Sequence, residues 1–331
     1  MALDFELPKL ISELEKIKPK KVLVQLPEGI KQKAFLVQQT IESIPDLNIE
    51  VIFSGETAWG GCAIATVEAE SVGADLIIHF GHAKFIDSKF PILYIEIIDD
   101  FDIKQLLEES LQYFKDYKKI GLSYSIQHKH EVENIIEFYK ENGVEVILSD
   151  KKGFAAYPGH VIGCEFGGLK TISDDVDAFL VIGNNFHSMG AAIAVEKPVY
   201  LLDVYNNTIT PMGNVRDKIL KQRIMSIDKF KQAKKVAIIS EVKPGQKFGS
   251  SKFLIDKMKN AGKDVITVTM SEFSPDKLMN FYDIDAFVEL ACPRIAIDDF
   301  AKYPKPILTF KECLVAVGEK SYEDFLSEGV I

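Results

Sequence analysis

Four cysteines occur in the 331-residue chain, and three of them, Cys62, Cys164 and Cys292, each follow a strand-like apolar run. Deprotonated, such residues are metal ligands, and loops at strand ends are where ligands converge in parallel sheets. Gly60-Gly61-Cys62 and Gly163-Cys164 approach through glycine, and Pro293 follows Cys292 directly. Those neighbours permit tight turns that aim thiolates inward. There is no Cys-x-x-Cys, no Cys-x-x-x-Cys-x-x-Cys and no His-Glu-x-x-His, so zinc-finger, loop-presented radical-cluster and zincin chemistry do not apply. Three thiolates suit a 4Fe-4S cluster with one open iron better than zinc, which would take a fourth ligand. An open iron can bind a substrate atom, which favours an enzyme. A lone cysteine is ordinarily a small hydrophobe, and Cys313, in Lys311-Glu312-Cys313-Leu314, is read as structural.

Other polar residues fall at strand ends. Gln25 lies in the first strand-like run, Lys21 to Leu26, and Pro27-Glu28-Gly29 beyond it reads as a turn or as the polar rim of a ligand site. Gly81-His82 and Asn184-Asn185-Phe186-His187 occupy the slot that Cys292 fills later in the chain, so His82 and His187 are expected at the same cavity. Arg294 and the pair Asp298-Asp299 suit a carboxylate and an amino group, or else a surface salt bridge. No stretch matches a Gly-x-Gly-x-x-Gly or Walker loop, which disfavours nucleoside triphosphate chemistry.

The elements that must position these residues recur three times. Runs starting at Lys21, Lys119 and Lys235 are each followed by a helical pattern: Phe35, Leu36, Ile41; Val132, Ile135, Ile136, Tyr139; Phe253, Leu254, Met258. Second strands are expected at 49–53, 144–148 and 265–268, and third strands at 74–80, 176–181 and 284–289. Fourth strands are expected at 91–95, 198–202 and 306–310. Nearly all-apolar strands separated by helices read as parallel sheets covered on both faces. The predicted fold is α/β, with three repeated units. Each is a small parallel four-stranded sheet flanked by helices, and the three are pseudo-threefold around a central cluster site. The units are 1–116 with Cys62, 117–231 with Cys164 and 232–331 with Cys292. Cys62 and Cys164 follow second strands but Cys292 a third, so the symmetry is approximate.

With 39 Lys and Arg against 49 Asp and Glu, the formal charge of −10 argues against direct nucleic-acid binding. The Lys-rich stretch 218–235 reads as a solvated helix face near a domain joint, or as a docking surface for an acidic partner. Apolar runs are of strand length, too short for a bilayer, and the start Met1-Ala2-Leu3-Asp4 lacks signal-peptide features. A cytoplasmic protein is expected.

The set Gln25-Leu26-Pro27-Glu28-Gly29, Trp59-Gly60-Gly61-Cys62, Gly81-His82, Gly163-Cys164, Phe186-His187 and Cys292-Pro293-Arg294-Ile295-Ala296-Ile297-Asp298-Asp299 resembles the 2-(3-amino-3-carboxypropyl)histidine synthase family. That family catalyses the first step of diphthamide biosynthesis, and the compact length resembles its archaeal, self-pairing members. The resemblance implies a noncanonical radical enzyme, with Cys62, Cys164 and Cys292 holding one 4Fe-4S cluster and S-adenosylmethionine as cosubstrate. It implies cleavage between sulfur and the methionine γ-carbon, and transfer of a 3-amino-3-carboxypropyl group to C2 of a histidine imidazole in translation elongation factor 2. Methylthioadenosine is the by-product. It further implies a homodimer, a separate electron donor and no membrane. The candidate substrate-binding residues are Gln25, Glu28, Gly29, His82, His187, Arg294 and Asp298; no acid/base residue is assigned. Ala58-Trp59 and Asn184-Asn185 depart from the family pattern. A quinolinate-synthase-like 4Fe-4S dehydratase is the rival enzyme, against which the Cys292 block argues. A non-enzymatic small-molecule binding protein with core cysteines is the other alternative.

Overall fold

The computed structural model describes residues 2–331. After β1 (Ala2–Asp4), strands β2 (Lys21–Gln25), β3 (Glu50–Phe53), β4 (Leu76–Phe80) and β5 (Ile92–Ile95) form a parallel sheet in the order β3-β2-β4-β5. β6 (Ile98–Asp100) then returns antiparallel to β1, a pair the sequence patterns did not announce. The second sheet holds β7 (Lys119–Tyr124), β8 (Glu145–Leu148), β9 (Ala178–Gly183), β10 (Val199–Asp203) and β11 (Thr208–Pro211), in the order β11-β10-β9-β7-β8. The third holds β12 (Lys235–Glu241), β13 (Asp264–Met270), β14 (Ala286–Glu289) and β15 (Ile307–Leu308), in the order β13-β12-β14-β15. Apart from β11, the three sheets share one parallel strand order.

Burial explains the choice of strands. β4 and β9 are buried along their whole length, as central strands covered on both faces must be. One local contact recurs at the foot of every sheet. Asp75 Oδ2 accepts the N–H groups of Lys20 and Lys21 at 2.8 and 3.0 Å. Asp177 does the same for Lys118 and Lys119 at 2.8 and 3.0 Å, and Asp285 for Lys234 and Lys235 at 2.9 and 2.7 Å. Each carboxylate ties the start of the sheet's first strand to the approach of its third, and these hydrogen bonds hold its pKa below the usual range.

Several expectations need correcting. The second sheet has five strands, because the chain turns back after Asp203 and β11 pairs antiparallel with β10. The expected fourth strand at 306–310 is only Ile307–Leu308. Thr309 then caps a helix over Phe310–Ala316 through a reciprocal capping box with Glu312. Phe35, Leu36 and Phe253 are exposed, Phe35 by 77%. In their helices the inward positions go to Val37 with Ile41, and to Leu254 with Met258, each pair four residues apart on one face. The expected boundaries at 116 and 231 fall just after helices whose apolar faces pack on the sheet that follows. Leu106, Leu107 and Phe114 join the core of the second sheet, and Ile219, Ile227 and Phe230 that of the third.

Candidate functional site

Each of the three cysteines lies in a loop beyond the carboxyl end of a strand. Cys62 follows β3 and precedes the helix Thr66–Val72. The third sheet closes on it: Gly245 N–H donates to the Cys62 carbonyl at 3.0 Å, and a Cβ on Gly245 would come within 2.5 Å of Cys62 Cα. Cys164 follows β8, in the tight turn closed by the Ile162–Glu165 bridge. Cys292 follows β14 and is the residue before the short helix Pro293–Asp298, whose first position is proline, as that position favours.

Cys164 and Cys292 sense the other cysteines. Burial pushes Cys62 up to about 11, and burial together with the charge of Cys62 raises Cys164 further. Cys292 is raised by burial and then by both other cysteines. Mutually opposed thiols can all be deprotonated together only with positive charge among them, which metal coordination supplies. Cys313 is different: it is fully buried in the helix Phe310–Ala316, among Val236, Ile238 and Val288 of the third core.

The polar candidates separate into two kinds. Arg294 is 3% exposed, and each of its three side-chain nitrogens is hydrogen-bonded within the protein. Nε and Nη2 pair with the Asp298 carboxylate at 2.9 and 3.0 Å, while Nη1 donates to the carbonyls of Gly163 at 3.1 Å and Phe186 at 2.6 Å. The Phe186 ring lies 3.8 Å from the guanidinium. Arg294 and Asp298 bind each other, with Arg294 buried and Asp298 partly exposed. Gln25 is likewise buried and hydrogen-bonded to Ala63, Ala65 and His79. Glu28 and Gly29 lie in the 3-10 turn Glu28–Lys33, where Glu28 pairs with Lys31 at 2.8 Å near the surface.

The histidines form the second kind. His187 stands in the first turn of the helix Asn185–Ala194, held by Asn184 Oδ1 at 3.0 Å, and burial followed by Arg294 lowers it to about 3. His160, His128 and His82 are close enough to add to that lowering. His82 and His187 thus share one neighbourhood with two histidines not selected from the sequence. His79 was missed as well, although a histidine inside the all-apolar run of β4 is itself a signal. Beside these loops a cavity of about 630 Å³ is lined by Phe85, Glu96, Phe154, Tyr157 and Pro244. Phe85 and Phe154 stack at 4.4 Å, and Tyr157 donates to Glu96 at 2.7 Å.

The family model for the putative diphthamide synthesis protein matches residues 26–326. The chain belongs to that family. A relative of the family, 2-(3-amino-3-carboxypropyl)histidine synthase from Pyrococcus horikoshii, is 30% identical over 326 residues, covering 97% of this chain and 93% of its own. Subunit 1 of the same synthase from Kluyveromyces lactis is 29% identical, covering 92% of this chain and 73% of its own. The crystal structure of Dph2 from Pyrococcus horikoshii superposes with a TM-score of 0.88 at 28% identity, covering 98% of this chain and 94% of its own. A crystal structure of that family member with a 4Fe-4S cluster gives 0.87 at 28% identity, covering 99% and 95%. No helix among the described residues of this family member is long and apolar enough to cross a membrane.

Proposed function

We propose that the protein catalyses the first step of diphthamide biosynthesis, transferring the 3-amino-3-carboxypropyl group of S-adenosylmethionine to C2 of a histidine imidazole in translation elongation factor 2. What supports this reading is the placement of Cys62, Cys164 and Cys292, in a chain of this family, each beyond the carboxyl end of a strand in one of three sheets of one parallel order. These three cysteines would hold a 4Fe-4S cluster at the centre of a pseudo-threefold arrangement of three repeated units. When bound, the cluster supplies the electron that cleaves the bond between sulfur and the γ-carbon of the cosubstrate.

The chain's own residues do the rest. Arg294 ties the Cys292 helix to the Cys164 loop, and Gly245 ties the Cys62 loop to the third sheet. His82, His187 and the cavity beside them, with its stacked Phe85 and Phe154, would receive the target imidazole. Glu28 and Gly29 form its outer rim, while Gln25, Arg294 and Asp298 position rather than bind. The protein acts in the cytoplasm as a homodimer and takes electrons from a separate donor.

Anaerobic incubation with a reductant, S-adenosylmethionine and elongation factor 2, followed by mass spectrometry of the factor, tests this. Addition of a 3-amino-3-carboxypropyl group to one histidine is expected. An unmodified factor with cluster-loaded protein would sink the assignment.

A further inference from the structure

His79 lies in the middle of β4, fully buried, with Nδ1 3.0 Å from Gln25 Oε1 and Nε2 2.9 Å from His82 Nδ1. The orientation of Gln25 is fixed by two backbone groups just past Cys62. Its Nε2 donates to the Ala63 carbonyl at 2.7 Å, and its Oε1 accepts the Ala65 N–H at 3.1 Å. An amide oxygen only accepts, so His79 carries its proton on Nδ1. Neutral His79 then accepts at Nε2, and His82 must donate from Nδ1. The lone pair of His82 is thereby left on Nε2. This is how a second partner sets the tautomer of a working histidine.

The loop that carries His82 is held from both sides. Gly81 has φ +80, and a Cβ there would lie 3.0 Å from Pro27 Cγ. Gln127 Nε2, from the second sheet's loop, donates to the Gly81 carbonyl at 2.7 Å. His82 is partly exposed, and the residues that follow it, Lys84 and Phe85, line the cavity. Burial lowers His82 to about 4, so its imidazole is neutral at pH 7.

We propose that His82 is the proton acceptor of the transfer, its Nε2 taking the hydrogen that leaves C2 of the target imidazole, with His79 and Gln25 as positioning residues. This rests on the function proposed above. In the overall reaction a sulfonium and an imidazole C–H become a thioether, a C-alkylated imidazole and one proton. The carbon–carbon bond forms at C2, leaving that carbon tetrahedral with an unpaired electron in the ring. The C2–H bond then breaks and its proton goes to His82; the iron–sulfur couple, when bound, would take back the one electron that balances the step. The transfer is redox-neutral, and exactly one proton needs a home. A weakly basic imidazole suffices, because ring aromaticity is restored as the proton leaves.

Two measurements test it. In oxidised, cluster-loaded protein labelled with 15N-histidine, His82 should carry hydrogen on Nδ1 and a lone pair on Nε2; the opposite tautomer overturns the relay. In turnover, His82→Gln should lower the yield of modified factor per methylthioadenosine by on the order of 100-fold, the range for losing a general base. Deuterium at C2 of the factor's histidine should then slow the variant but not the wild type, and added imidazole should restore part of the yield. His79→Gln, whose amide oxygen can accept from His82, should keep most activity, whereas His79→Leu should not. A wild-type ratio in His82→Gln, or losses that merely follow lost iron, would overturn the proposal. Wild-type protein that releases no methylthioadenosine would instead defeat the underlying reading, leaving the tautomer measurement to decide the relay.

Discussion

Arg294 donates from Nη1 to the carbonyl of Gly163 at 3.1 Å, so a residue two positions after Cys292 grips the backbone immediately before Cys164. The same guanidinium is forked on Asp298 in its own helix, and one buried side chain thereby fixes the spacing of two cysteine loops from different sheets. Removing one member of such a pair leaves an uncompensated charge, at a typical cost of about 3–5 kcal/mol.

Arg294→Ala should therefore lower stability by roughly that amount in chemical denaturation, and should lower the iron retained per chain. Arg294→Lys should recover little, because an ammonium cannot serve the carboxylate fork, two carbonyls and the Phe186 face together. Wild-type iron content in Arg294→Ala would show that the clamp is dispensable.

A second buried pair, Arg223 with Glu312, anchors the long helix Gly213–Lys231 to the third sheet. Nε and Nη2 of Arg223 each lie 2.7 Å from the carboxylate, and Nη2 also donates to the Ile307 carbonyl at 2.7 Å. Arg223→Met alone should cost about 3–5 kcal/mol, and Arg223→Met with Glu312→Leu should recover part of it. Denaturation of the single and double variants checks the coupling. The Lys-rich stretch 218–235 thus contains one cation that is wholly interior, which its charge pattern did not separate from its exposed neighbours.

Gly245 has no room for a side chain against Cys62. Gly245→Ala should displace the Cys62 loop and reduce iron loading, whereas Gly29→Ala, with open space around it, should not. Iron analysis of the two variants distinguishes a local clash from a general intolerance of glycine replacement.

The three strand-foot aspartates set an acid limit. The folded pKa of Asp75, Asp177 and Asp285 is lowered chiefly by backbone hydrogen bonds, so their stabilisation is complete above the ordinary aspartate value of about 4. It is lost as pH falls from there through the lower folded value. The triple change of these residues to Asn should flatten that part of the stability-against-pH curve, as read by thermal unfolding between pH 5 and 2. An unchanged acid limb would contradict the assignment.

The succession of strands and helices along the chain, the parallel character of the sheets and the strand-end placement of three cysteines were legible because period and apolar runs encode them. Lys21 and Asp75 could each be read as part of a strand, yet nothing local in the chain says that one caps the other. Arg294 and Asp298 were visible as chemistry-bearing residues, but their mutual pairing depends on a helix spacing of four and on the second sheet's carbonyls. β11 escaped notice because its pattern, half-buried Ile209 and Thr210 between exposed ends, is that of an edge strand with little apolar signal.

Cys62→Ala, Cys164→Ala and Cys292→Ala should each lose the cluster after anaerobic reconstitution, whereas Cys313→Ala should retain it at a cost of about 1 kcal/mol for a small cavity. Equal iron in all four variants would refute the ligand set.

The most direct test of the central claim is the product released when reduced, cluster-loaded protein meets S-adenosylmethionine alone. A cosubstrate held with its γ-carbon aligned for cleavage should give methylthioadenosine and a 3-amino-3-carboxypropyl fragment, since alignment selects which bond reacts. Chromatography with 5′-deoxyadenosine as the main product would contradict the account.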